Sequence, residues 1–177
     1  MRKLVSGIAA AALVLAIAAP AMAATGAKPG TSTIVEAVLA DDGEFDVLQA
    51  AVIEAGLAGV LSGTDDQYTV FAPTDAAFVA TFRSLLGNDT LTEADVIAFV
   101  DADGVDTAFG AGALADILLF HVTNGRRTST SVVAAPQYRM LNGDRLRRAE
   151  LVEARIVATD ISASNGIVHA IGSVLLP

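Results

Sequence analysis

Apolar side chains recur at helical spacing along the first two thirds of the chain. Residues 33–36 (TIVE) have the Ser/Thr-x-x-Glu pattern of a capping box and open the apolar run 34–40. A second helix is indicated by an apolar stripe at Phe45, Leu48, Val52 and Ala55. Gly56 is placed to end that helix, and residues 57–61 predict one further turn.

The pattern changes briefly at residues 68–71 (YTVF), a β-branched and aromatic run that predicts a strand. Helical spacing returns at 76–86, at a capped start at Thr92 that leads into 96–100, and at the apolar run 114–120.

The last third alternates as strands do and contains two turn signals. Residues 138–141 and 145–151 flank Asn142-Gly143, and residues 155–161 and 167–176 flank Asn165-Gly166. Asn-Gly pairs favour tight hairpin turns because both residues tolerate positive φ. Helices followed by antiparallel strands predict an α+β fold.

The N-terminal residues are expected to lie outside this domain. Arg2 and Lys3 precede an apolar stretch, and Ala21-Met22-Ala23 supplies the small residues of a cleavage site, so residues 1–23 are predicted to be a secretory signal peptide. Residues 24–32 form a Gly/Pro linker, and residues 33–177 form one domain. We therefore expect a secreted or periplasmic protein with no integral membrane anchor.

Composition restricts the partners and the chemistry. The chain has no cysteine, which excludes disulfides and thiolate metal sites. Loss of Arg2 and Lys3 on cleavage would change the formal charge from −9 to −11. Residues 36–116 hold 16 acidic residues against Arg83, a net charge of −15, whereas residues 117–177 have a net charge of +3. Such acidity argues against nucleic acid as the partner.

Polar residues at 74 and 75 stand where a strand passes into a helix, a common place for catalytic groups. Pro73 ends the strand, and the oxygen of Thr74 or Asp75 can accept a hydrogen bond from the first amides of the following helix. No Gly-x-Ser-x-Gly elbow is present. We interpret this joint as structural.

Neither histidine lies in a residue pattern typical of a catalytic triad or a metal site. His121 follows an apolar run and His169 lies in an alternating strand, so both are interpreted as core groups that hydrogen-bond to a carbonyl or a carboxylate. No histidine or cysteine spacing typical of zinc occurs. Residues 101–106 (DADGVD) depart from the EF-hand loop at Gly104, Val105 and Gly112. We predict no catalytic residue, no metal and no cofactor.

Four ordered motifs resemble the fasciclin (FAS1) domain family. They are TVFAPTDAAF at 69–78, LADILLFHVTNG at 114–125, LNGDRL at 141–146 and DISASNGIVHAIGSVLLP at 160–177. One departure is Phe120-His121, where many members have Tyr-His. The resemblance covers residues 33–177.

The resemblance implies a small antiparallel β-sandwich or wedge with several packed helices, and an adhesion or protein-interaction role without enzyme activity. It implies binding contacts at Asp160-Ile161 and, in part, at Phe120-His121. It also implies structural roles for the motif residues Thr74, Asp75, Asn165, Gly166 and His169. The implied partner is a cell-surface or matrix protein or glycan.

Two alternatives remain open from the sequence. The first is an extracytoplasmic carrier of an apolar pigment or lipid, since 53% of the chain is hydrophobic. The second concerns a candidate basic patch that comprises Arg126, Arg127, Arg139, Arg145 and Arg147. It could attract an anionic partner, or it could balance the acidic half of the same molecule.

Overall fold

The computed structural model describes residues 30–40, 43–63 and 66–177. Their helices are α1 (Ile34–Val38), α2 (Asp46–Glu54), α3 (Ala58–Ser62), α4 (Asp75–Leu86), α5 (Glu93–Asp101), α6 (Gly104–Phe109), α7 (Ala113–Leu119), α8 (Ser129–Ala134) and α9 (Arg148–Glu153). Their strands are β1 (Tyr68–Pro73), β2 (Val122–Asn124), β3 (Gln137–Arg139), β4 (Arg145–Arg147), β5 (Ile156–Ala163) and β6 (Gly166–Ile171). The predicted signal peptide and residues 24–29 of the predicted linker lie outside the described residues.

Reciprocal hydrogen bonds at the helix starts explain why local sequence signals located the helices. The Thr33 hydroxyl accepts from the Glu36 amide at 3.2 Å, and the Glu36 carboxylate accepts from the Thr33 amide at 2.7 Å. Thr92 and Asp95 make the same exchange at the start of α5. Each pair satisfies amides that have no partner within the helix.

The main sheet has the strand order β2-β1-β6-β5 and is mixed. β1 runs antiparallel to β2, and β5 runs antiparallel to β6. β1 and β6 run parallel, from Tyr68 opposite Gly166 to Pro73 opposite Ile171. The α+β class is confirmed, but the expectation of purely antiparallel strands missed this central pair. A parallel pair needs a long crossover rather than a tight turn, so no local motif indicates it.

Two predicted strands are shorter than the alternation indicated. The strand predicted at 145–151 ends at Arg147, because Glu150 accepts the Arg147 amide at 2.9 Å and the good helix formers that follow make α9. The strand predicted at 167–176 ends at Ile171, where its partner β5 begins. Gly172 instead donates to the Ala154 and Arg155 carbonyls.

Two apolar clusters lie on the two faces of the main sheet. Val70 and Ala72 of β1 face a large cluster formed with the helices of the first two thirds of the chain. Phe71, between them, faces a smaller cluster with Tyr138 and Leu146 of the β3–β4 hairpin. This alternation follows from the two-residue period of a strand. Each large apolar side chain fully buried in this way contributes about 1.5–3 kcal/mol to folding.

No helix among the described residues is both long enough and apolar enough to cross a lipid bilayer.

Candidate functional site

The strand–helix joint at residues 73–75 connects two helices rather than forming a reactive centre. Thr74 is the N-cap of α4, and its hydroxyl accepts from the Ala77 amide at 3.3 Å. The Asp75 carboxylate accepts from the amides of Asp46 and Val47, at 3.1 Å and 2.9 Å. Asp75 therefore caps α2 and not the helix in which it lies, a tertiary contact that the local sequence did not indicate.

Asp75 also belongs to a small acidic cluster with Asp46 and Glu93. One carboxylate oxygen from each lies within 4.8 Å of the others. Burial, followed by the charges of Asp75 and Asp46, raises the pKa of Glu93. A hard cation such as Ca²⁺ takes 6–8 oxygen ligands, and both oxygens of Asp75 already accept backbone amides. We assign no metal to this cluster.

The predicted turn at Asn165-Gly166 differs from the structure by one residue. The turn residues between β5 and β6 are Ser164 and Asn165, and Gly166 begins β6. Neither Asn165 nor Gly166 has a positive φ. A Cβ atom on Gly166 would lie 2.1 Å from the Tyr68 carbonyl oxygen, so glycine is required there by the close approach of β1.

The Asn165 side chain is fully buried and joins three segments of the fold. Its oxygen accepts the Ile34 amide at 2.8 Å, and its nitrogen donates to the Leu61 and Gly63 carbonyls at 2.7 Å and 2.9 Å. It therefore connects the start of α1 to the end of α3 and to the β5–β6 turn. Its position in a turn motif gave no indication of these distant partners.

Both ring nitrogens of His121 are engaged with the backbone. Nδ1 donates to the Ile117 carbonyl at 2.7 Å, and Nε2 accepts the Leu175 amide at 2.9 Å. Burial lowers its pKa to about 4, opposed by the Ile117 carbonyl. His121 and the adjacent Phe120 are 2% and 4% exposed. A partner could therefore contact the pair implied by the resemblance only if this part of the core opened.

His169 is buried on β6, and its ring is also hydrogen-bonded at both nitrogens. Nδ1 accepts the Asp160 amide at 3.2 Å, and Nε2 donates to the Arg127 carbonyl at 3.0 Å. Its ring stacks on Phe71 with centroids 5.8 Å apart. Burial lowers its pKa, against the opposing effects of the Arg127 carbonyl and Asp160.

The Asp160-Ile161 pair lies at an irregularity of the edge strand β5. Asp160 has a φ of 59° and lies within the second register shift of β5 against β6, between Ala158 and Ile161. Its carboxylate accepts from the Ser129 amide at 2.8 Å and from the Ser129 hydroxyl at 2.5 Å, which joins β5 to the start of α8. Burial raises the pKa of Asp160, but these bonds and nearby His169 outweigh burial and lower it. Ile161 is half-buried and packs against the larger core.

The candidate basic patch is divided by the structure. Arg126 donates to the carbonyls of Ala163 and Gly166 and to the Ser162 hydroxyl, so its guanidinium clamps the β5–β6 turn. The Arg127 guanidinium lies over the Tyr138 ring, 5.2 Å from its centroid. Only Arg139, Arg145 and Arg147 are exposed together, on the β3–β4 hairpin. Arg126 therefore has a structural contact that its charge alone did not reveal.

The loop that resembles a calcium site forms a helix junction instead. Asp106 lies in α6 and accepts from the amides of Gly112 and Leu114, at 2.8 Å and 2.9 Å. These bonds, the one from Leu114 first, lower its pKa. The Asp106 carboxylate thus accepts backbone amides at the start of α7.

An apolar cavity lies between α1, α2, α3 and the main sheet. Its lining includes Val38, Leu48, Leu61 and Leu118, and His121 is the polar side chain among the lining residues. Its volume is about 20 Å³, which is enough for roughly one water molecule. A drug-sized ligand needs a pocket of about 300–1,000 Å³, so this cavity would have to expand before it could hold a lipid or pigment.

The comparisons with known proteins agree on the family. The Fasciclin domain family model matches residues 43–177. The chain is similar to the transforming growth factor-beta-induced protein ig-h3 of Sus scrofa, with 33% identity over 84% of this chain but only 20% of that protein's length. It is also similar to protein sll1483 of Synechocystis, with 31% identity over 89% of this chain and 80% of that protein.

A solved structure supports the fold independently. The FAS1 domain pair from the insect cell adhesion molecule Fasciclin I matches 84% of this chain and 52% of its own chain, with a TM-score of 0.55 and 17% identity. At that identity the likeness concerns the fold alone. With the family match over residues 43–177, these findings lead to one conclusion: the chain belongs to the Fasciclin domain family.

Proposed function

We propose that this protein is a secreted, non-enzymatic adhesion or protein-interaction module that acts outside the cytoplasm. The observation that carries the proposal is the use made of its polar side chains. Thr74, Asp75, Asn165 and both histidines hold backbone groups of the protein's own helices and turns. The described part of the chain therefore serves as a rigid scaffold, and recognition is left to its surface.

The protein with the matching fold favours the same role. The insect protein with the matching fold is described as a cell adhesion molecule, and the relatives from Sus scrofa and Synechocystis are similar to this chain over 84% and 89% of its length. The basic and apolar N-terminal residues support export through a cleaved signal peptide. We infer that the partner is a cell-surface or matrix protein or glycan.

Binding of the purified protein to surfaces tests this proposal. Beads coated with the full secreted chain should bind native cells or matrix saturably, and free protein should compete. Beads coated with the heat-unfolded chain provide the control. Absence of saturable binding, or turnover of generic esters that is lost when His121 or His169 is replaced, would contradict a non-enzymatic adhesion role.

The second candidate is a carrier of an apolar small molecule, favoured by the lining of the cavity beneath α1. A carrier purified from its native host should contain a pigment or lipid in stoichiometric amount, which native mass spectrometry would detect. The mutation Leu48→Trp, which fills this cavity, should then expel the ligand. Protein that carries no such molecule would count against this candidate and leave adhesion in place.

A further inference from the structure

Three arginines form one exposed face of the β3–β4 hairpin, which we call the arginine face: Arg139, Arg145 and Arg147. They alternate with Tyr138 and Leu146, which are 3% and 0% exposed and point into the smaller core. In the antiparallel register Arg139 lies directly opposite Arg145, and Arg147 lies opposite Gln137. Strand geometry separates Arg145 from Arg147 by about 7 Å, and directly opposite residues have Cβ atoms about 5 Å apart.

The arginine face has no acidic partner within the described part of the chain. None of the three guanidinium groups takes part in an ion pair there. The two carboxylates nearest in sequence have other contacts: Asp144 accepts from the Asn142 side chain, and Glu150 accepts from the Arg147 backbone amide. Among the described residues, no contact supports the alternative that these arginines balance the acidic half of the same molecule.

Like charges directly opposite each other destabilise a sheet, so the Arg139–Arg145 pair has an energetic cost that no ion pair between described residues offsets. The hairpin beneath it is firmly held. The Tyr138 hydroxyl donates to the Ser131 and Val132 carbonyls at 2.9 Å and 2.6 Å. Thr123 of β2 also pairs with Met140 in an isolated antiparallel β-bridge. The charges thus stand on a rigid platform, which reduces the ordering cost of binding.

From this arrangement we infer that the arginine face binds a linear anionic polysaccharide, rich in sulfate or uronate groups. Guanidinium groups pair with sulfates and carboxylates through two parallel hydrogen bonds. The arginine face presents three guanidinium groups of this kind within the length of a few sugar units. The inference rests on the proposed function and names the chemical class of its partner.

The rest of the molecule favours a thin flexible chain over a broad anionic surface. Residues 36–116 have a net charge of −15, which repels a large polyanion that approaches the whole protein. Anionic membranes are recognised by clusters of about 4–8 basic residues, more than this face provides. Duplex DNA has a dense charge along its whole length and would meet the same repulsion. A single polysaccharide strand can contact the hairpin alone.

Titration of the full secreted chain with heparin, polygalacturonate and uncharged dextran tests the inference. The two anionic chains should bind, dextran should not, and affinity should fall steeply with salt. The double substitution Arg139→Gln/Arg145→Gln should weaken binding at least about tenfold. It should also make the slope of log affinity against log salt shallower by about one to two.

A matched control separates the arginine face from net charge. The double substitution Arg148→Gln/Arg155→Gln removes two exposed arginines outside this face and should leave affinity within about twofold. Thermal unfolding of both double variants checks that each is folded. The variant Arg139→Lys/Arg145→Lys keeps the positive charges but loses the paired guanidinium donors. It should bind with intermediate affinity.

Three outcomes would overturn the inference: no binding to either anionic polysaccharide, equal loss in both double variants, or tighter arginine-dependent binding to duplex DNA or phosphatidylserine vesicles. Each is distinguishable from failure of the proposed function. If coated beads still bind cells or matrix while heparin and polygalacturonate do not bind, only the polysaccharide assignment is lost.

Discussion

The Asp75 carboxylate accepts the backbone amide of Val47 at 2.9 Å, so a residue at the start of α4 caps a helix that begins 29 residues earlier. Asp75 is 5% exposed and also accepts the Asp46 amide. The N-cap position of α2 is occupied by Phe45, which has no side-chain hydrogen bond to offer. This one side chain therefore fixes α2 against β1 and α4.

Replacement of Asp75 by Ala should lower the free energy of unfolding by about 2–3 kcal/mol, since two amides lose a charged acceptor. Asp75→Asn should cost less, because one oxygen remains. Urea denaturation at neutral pH measures both. Asp89→Ala, at an exposed position, is the control and should change the stability by less than about 0.5 kcal/mol. A loss for Asp75→Ala as small as that for the control would show that the cap is unimportant.

Asn165 should be among the most sensitive polar positions in the fold. Asn165→Ala removes two buried hydrogen bonds and one partly buried one and should cost about 3 kcal/mol. Because the lost contacts secure α1, hydrogen exchange at the Ile34 amide should accelerate more than exchange in β6. Uniform acceleration along the chain would contradict the assigned link between Asn165 and α1.

Stability should fall as the pH is lowered from about 6.5 to about 4, because of His121. Its pKa is near 6.5 when the chain is unfolded and about 4 when it is folded, so in this window the unfolded chain gains a proton that the folded chain does not. The effect reaches on the order of 3 kcal/mol below pH 4. His169, with its pKa also lowered by burial, acts in the same direction.

The variant His121→Gln isolates that contribution. Its stability at pH 7 should be lower, but urea denaturation from pH 7 to pH 4 should give a shallower decline than for the unaltered chain. The same decline in both proteins would mean that His121 does not titrate as its burial indicates.

Asp160 combines a cap with a left-handed backbone, and two substitutions separate these effects. Asp160→Asn keeps a residue that tolerates a positive φ but weakens the bonds from Ser129, and it should cost about 1 kcal/mol. Asp160→Ala also adds backbone strain and should cost about 1–2 kcal/mol more. Thermal unfolding of the two variants should rank them in this order, and equal loss would exclude the strain.

The Asp160→Asn variant also tests how the stability of the protein depends on pH in the acidic range. The pKa of Asp160 is lower in the folded protein than in the unfolded chain. Its contribution is therefore complete above the ordinary carboxyl range and is lost as the pH falls through the folded-state value. Asp160→Asn should accordingly lose less stability than the unaltered chain in the most acidic part of the titration.

Sequence reasoning was most successful where an interaction spans only a few residues and has a clear capping or turn motif. The capping exchange of Thr33 with Glu36 and the hairpin at Asn142-Gly143 were predicted and are confirmed. Helices α6 and α8 were missed, because each has only six residues and too little apolar periodicity to stand out. The strand predicted at residues 145–151 wrongly included Arg148, because Arg145 and Arg147 alternate with Leu146 as in a strand and nothing in that pattern indicated the start of α9.

The amino-acid sequence by itself determined the family, the α+β class and the positions of most helices and hairpins, since caps, turns and periodicity act between near neighbours. Tertiary structure alone decided that β1 pairs in parallel with β6, that Asp75 caps α2 and that Arg126 clamps a turn while Arg139 and Arg145 face solvent. The physical reason is distance along the chain. A carboxylate, an amide or a guanidinium has the same chemistry at every position, and only packing brings a partner within hydrogen-bonding reach.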